Sequence, residues 1–147
     1  MITANDLLTA ARRYLETPFH HRARILGRGM DCVGLVLSVG EDLGLSDRNG
    51  KPFRREDYPY YAKQPADRFV HEECTRRLLR KPFVLAPGDV VTIRLPQFPC
   101  HVGILSDMNG LGIIHAYAGG RGIVTEHCLD TAWKQRIVGV FTIPGVE

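Results

Sequence analysis

GMDCVGLV, residues 29–36, sets a cysteine at the head of an apolar run. A glycine, an acid and a cysteine run straight into an apolar series: Val33, Leu35, Val36, Leu37 and Val39. The pattern predicts a helix that opens at Asp31 or Cys32, continues to about Leu43 and meets a C-cap glycine in Gly44. Asp31 is placed to cap it through its side chain. Cys32 then falls in the first turn, where free N–H groups and the positive end of the helix dipole stabilise a thiolate. The expectation is therefore a thiol of depressed pKa. Gly34 leaves room for close approach by a strand or a substrate. Position alone leaves two readings of Cys32, a nucleophile or a buried cysteine at a helix end.

Upstream, residues 3–15 predict an amphipathic helix carrying Leu7, Leu8, Ala11 and Leu15, with Thr3 or Asn5 as its cap. Pro18 marks the break, and 17–30 reads as loop. Downstream, 46–65 is a long excursion rich in Pro, Asp, Asn and Tyr. Residues 66–80 predict a third helix with a stripe of Ala66, Val70, Cys74 and Leu78, widened by Phe69, and the charges between them as a solvated face. The pattern then changes to strands, at 87–95, 101–105, 111–117, 122–127 and 137–143. Asn109-Gly110 and Gly119-Gly120 are hairpin signals between them. Helices followed by an antiparallel meander of about five strands make an α+β domain, helices packed on one sheet, with a single domain over 1–147.

A chain of 147 residues, 44% hydrophobic and 24% charged, has the composition of a globular protein. The net charge of +3 suits an anionic polymer. The arginines are scattered, without the basic run and interleaved aromatics of a nucleic-acid module. No stretch is long and apolar enough to span a membrane, and the charged N-terminus predicts no signal peptide. The four cysteines, Cys32, Cys74, Cys100 and Cys128, form no CxxC pair, so no zinc ribbon or thioredoxin motif is indicated. Cys74, Cys100 and Cys128 are expected as small core hydrophobes. Metal binding by these cysteines with His101 and His115 lacks ligand spacing.

His101 opens the strand HVGIL and is expected to point to one sheet face, there to meet the N-terminus of a helix packed on it. Imidazole has the pKa of a base for a thiol. His115 lies in the next strand, IIHAY, as a rough cross-strand neighbour, and a polar residue beside the base can hold its tautomer. Cysteine, histidine and polar residue thus follow one another on helix, strand and next strand. His71 and His127 carry no role that the sequence argues.

These segments resemble the NlpC family of papain-like cell-wall peptidases. DCVGLV looks like the family's cysteine motif, PGDVVTI like the strand before the histidine, HVGIL like the histidine motif and IIHA like the strand bearing the third residue. TPFHH sits where the family has a threonine-proline-aromatic segment, and the match spans about residues 4–143. The resemblance implies a nucleophile at Cys32, a base at His101, an orienting residue at His115, and no metal or cofactor. It implies cleavage of peptidoglycan stem peptides, commonly between D-glutamate and diaminopimelate. Substrate contacts are expected from Phe19, His20, His21, Asp31 and Val33. Phe19 stands where the family often has tyrosine, and Val33 where it often has serine. The motif style looks closest to the subgroup in tail-tip proteins of long-tailed phages and gene transfer agents. That implies a virion location, with peptidoglycan and other tail-tip proteins as partners. Tyr58, Tyr60 and Tyr61 in the excursion suit an interface or an ordinary loop packing its own aromatics. A structural tail component, docking through a peptidase fold, is the alternative.

Overall fold

The computed structural model describes residues 1–59, 68–96 and 101–147. Helix α1, Ala4–Arg12, is opened by a capping box in which the Thr3 hydroxyl accepts from the Asp6 amide and the Asp6 carboxylate accepts from the Thr3 amide. It ends before Leu15, which only packs against the core. Helix α2, Cys32–Asp42, opens at the expected residue. Leu43 is its C-cap, and Gly44 follows at φ +66°, a conformation that glycine adopts without Cβ strain. Between these helices the expected loop contains a short hairpin, β1 (Arg24–Ile25) with β2 (Gly29–Met30).

Helix α3, Phe69–Arg77, is shorter than the expected 66–80. Ala66 of the stripe lies outside the described residues, and Leu79–Arg80 form a strand, β3. The solvated face of α3 also needs correction. Arg77 is 3% exposed, with Nε 2.7 Å from Asp47 and Nη1 3.0 Å from Asp57. Its guanidinium covers the Phe53 ring at 4.7 Å. One buried cation thus fastens the 46–59 excursion to α3, and Tyr58 packs edge-on against Phe69 beside it. Tyr60 and Tyr61 lie outside the described residues. Sequence periodicity could not see this, because a charge on a helix is buried only where distant carboxylates neutralise it.

The sheet continues with β4 (Val90–Ile93), β5 (His101–Ser106), β6 (Gly112–Ala116), β7 (Val124–Cys128) and β8 (Ile137–Thr142). Among the described residues it has six strands rather than five, in the order β3-β8-β4-β5-β6-β7, and neighbours are antiparallel. It is not a simple meander, since the last strand returns to lie between β3 and β4. A short helix, α4 (Thr131–Gln135), was not foreseen; Asp130 caps it.

Strand alternation sorts the two faces. Val102, Ile104, Ile114 and Ala116 join Leu7, Leu8, Leu35 and Val39 in the core beneath α1 and α2. Leu105 and Ile113 belong to a second core on the opposite face, with Ile93, Val140 and the flanking Tyr117 and Trp133.

Candidate active site

The start of α2 is built by Asp31. Its Oδ1 accepts from the Gly34 amide at 2.7 Å, and its Oδ2 from the Arg22 amide at 2.6 Å. The side chain is buried and both oxygens are occupied, so it shapes the helix start and its preceding loop. A Cβ on Gly34 would fall 2.7 Å from Asp31 Oδ1 and from Arg24 Cγ, and 3.0 Å from the Ala23 carbonyl. The close approach at Gly34 is therefore made by its own upstream loop.

Cys32 is half-buried and its thiol is free. Burial pushes the thiol up to about 12, and the Asp31 carboxylate adds to the rise. Backbone N–H groups of Val102, Val33 and Cys32 pull the other way and are outweighed. The depressed thiol expected from the helix start is corrected accordingly: the capping carboxylate and the apolar surroundings defeat the helix terminus. The involvement of Val102 brings the thiol to the opening of β5, one residue along from His101.

His101 is 4% exposed and His115 is fully buried. Nε2 of His101 lies 2.6 Å from Nδ1 of His115. Burial lowers His101 to about 3, and holds His115 well below its ordinary value with help from His101 and His127. Both rings are neutral near pH 7. Their face differs from the expectation. The ring of His101 lies with those of His115 and Tyr117, at 4.9 and 6.0 Å between centroids, on the side of the second core. The α2 helix packs on the other side. Among the described residues the Cys32 thiol and the His101 ring make no hydrogen bond; Nε2 of His101 is committed to His115, and Nδ1 is the ring nitrogen not engaged with it.

Gly103 makes the histidine pair possible. A Cβ there would lie 2.8 Å from Ile113 Cδ1 and 3.1 Å from His115 Cβ. The His115 ring is further held by Tyr117, stacked at 5.4 Å and 6°, and by Trp133 of α4, edge-on at 5.1 Å.

The other residues expected to touch substrate flank the helix start. Phe19 is half-buried against the core, His20 is exposed and His21 half-buried. Val33 is buried. It lines an apolar cavity of about 50 Å³ with Val102, Cys74 and residues of α3 and the excursion. Cys128 is exposed, not the core residue expected, because it ends the edge strand β7; Cys100 lies outside the described residues. His71 packs α3 on the sheet, with Nδ1 3.0 Å from the Thr92 hydroxyl and its ring against Phe141. His127, which the sequence left without a role, lies 2.9 Å from His115. The signal was in the register: His115 pairs with Thr125, and His127 is two residues along on the same face.

The fold is similar to that of NlpC/P60 proteins of known structure. An NlpC/P60 family protein from Bacillus cereus superposes with a TM-score of 0.62 at 18% identity over 94% of this chain. NlpC1 from Trichomonas vaginalis gives 0.57 at 16% over 95%. An N-acetylmuramoyl-L-alanine amidase from Bacteroides uniformis gives 0.52 at 14%, covering 94% of this chain and 96% of that one. The chain spans only 39% of the length of the Bacillus protein and 43% of the Trichomonas protein. No family model and no curated protein matches the sequence.

Proposed function

We propose that this chain is a cysteine-dependent cell-wall hydrolase, with Cys32 as nucleophile, His101 as base and His115 orienting the base. The observation that carries the reading is the buried His101–His115 hydrogen bond of 2.6 Å, formed at the strand opening where the Cys32 thiol meets the Val102 backbone. A buried imidazole held by a second imidazole is a costly arrangement for a structural core and a useful one for a base. The NlpC/P60 and amidase neighbours support peptidoglycan as the substrate class.

The free site starts from a neutral thiol and a neutral imidazole. Nδ1 of His101 takes the thiol proton as Sγ attacks the substrate carbonyl, a contact that the substrate-bound site has to form. The Cys32 amide at the helix start donates to the developing oxyanion. The imidazolium then gives its proton to the leaving amine as the C–N bond breaks, and water, deprotonated by His101, releases the acyl group from sulfur.

At finer grain, the proposed bond is a stem-peptide amide such as D-glutamate–diaminopimelate, and the proposed setting is a phage tail tip. The motif style of TPFHH and DCVGLV supports that setting. Phe19, His20 and His21 border the helix start and are the proposed contacts for the stem peptide.

Purified peptidoglycan incubated with the wild type and with Cys32→Ala tests the activity. Stem peptides released by the wild type alone, identified by fragment mass, are expected. Release by Cys32→Ala as well would remove the nucleophile. No release by either would favour the fold as a docking component of a tail.

A further inference from the structure

The buried histidine pair continues into a chain of three. Nε2 of His115 lies 2.9 Å from Nε2 of His127, and Nδ1 of His127 lies 2.8 Å from the Cys128 carbonyl oxygen. The rings of His115 and His127 are 5.0 Å apart, and Trp133 packs on both, 5.1 Å from each centroid. The Arg136 guanidinium lies 5.2 Å over the outer part of this cluster, against the Trp133 ring.

A carbonyl oxygen only accepts, so Nδ1 of His127 carries a proton, and in the neutral ring Nε2 is then an acceptor. The proton shared between the two Nε2 atoms belongs to His115. The neutral His115 ring therefore presents a lone pair at Nδ1. That lone pair faces Nε2 of His101, which must donate. The proton of His101 is thus on Nε2, and its lone pair is on Nδ1, the nitrogen not engaged with His115. With a neutral His127 ring, each step has one solution once the backbone carbonyl is in place.

We propose that His127 is a positioning residue of the site: anchored on the Cys128 carbonyl, it sets through His115 the tautomer in which His101 offers Nδ1 as a base. This rests on the reading of His101 as the base, but the tautomer chain exists in the free protein whether or not that reading holds. Without His127, the Nε2–H of His115 loses its acceptor. His115 can then turn its tautomer and present Nδ1–H to His101, which moves the His101 proton to Nδ1 and removes the base.

The test is long-range ¹H–¹⁵N correlation on histidine-labelled protein, which reports the protonated nitrogen of each ring. It is run on the wild type, His127→Phe and His127→Gln. His127 is half-buried at the sheet edge, so both variants are expected to fold. Phe keeps a ring against Trp133 but accepts nothing; the Gln Oε1 can accept from His115. In the wild type, His101 and His115 should both show Nε2–H. In His127→Phe, His101 should populate Nδ1–H, and in His127→Gln it should return toward the wild-type pattern. On a soluble muropeptide, His127→Phe should lose roughly ten- to a hundredfold in kcat with KM little changed, part of what a general base supplies. Nδ1–H on wild-type His101, or an unchanged His101 spectrum in His127→Phe, would overturn the proposal. A wild type that cleaves nothing while the spectra behave as described would instead count against the hydrolase reading.

Discussion

A thiol and an imidazole are easy to find in a sequence, but their protonation states are not. Cys32 opens a helix, and Asp31 caps that helix with a carboxylate that disfavours the thiolate. With burial added, the thiol rises to about 12. Alkylation by iodoacetamide should therefore be slow at pH 8 and keep accelerating beyond pH 10; a plateau reached near pH 8.5 would contradict the closed, neutral thiol. His115 gives a second prediction. Its ring supplies the acceptor for His101 Nε2, so His115→Ala should cut turnover strongly and His115→Asn or Gln less, with equal losses for all three arguing against an orienting role. Cys32, His101 and His115 were all legible as candidates in the sequence, each from a motif of four to six residues. His127 was not, because its claim depends on pairing two strands in one particular register.

Elements reach the site through contacts that local pattern only partly encodes. The α2 boundaries, the Thr3 capping box and five of the six sheet strands follow from caps, turns and alternation. Strand β3 and helix α4 are two and five residues long and carry too little periodicity to be read. Gly34 and Gly103 are places where an element admits no side chain. Gly34→Ala should displace the Asp31 cap and the 22–24 loop, costing roughly 2 kcal/mol by overpacking, as read from urea unfolding. Wild-type stability in that variant would mean the loop yields freely. Buried between Asp47 and Asp57, Arg77 joins α3 to the excursion, and Arg77→Ala should cost about 3–5 kcal/mol by leaving buried carboxylates unpaired. A loss below about 1 kcal/mol would show that the pair is as weak as an exposed one.

For the molecule as a whole, the neutral buried histidines set the response to acid. His101 is lowered from an ordinary 6.5 to about 3, so between these values the unfolded chain binds a proton that the folded chain refuses. Its stabilising contribution is complete above pH 6.5 and is lost as pH falls toward 3; His115 is shifted in the same direction. The urea midpoint should fall between pH 7 and pH 5, and His101→Gln should flatten that slope. An unchanged slope in the variant would assign the acid response to other groups. Cys32 acts at the other end, its contribution complete below pH 9 and lost as pH rises toward 12. The α+β class, the cysteine at the head of α2 and the two strands bearing His101 and His115 are legible in the chain alone, because caps, turns and two-residue alternation are local and leave a local record. Long-range packing is what puts β8 between β3 and β4, the histidines on the face away from α2, Arg77 in the interior and His127 at the end of a chain. Those outcomes depend on which distant strands and carboxylates meet, and on how far burial overrides the intrinsic pKa of a side chain, neither of which is written in any window of neighbouring residues.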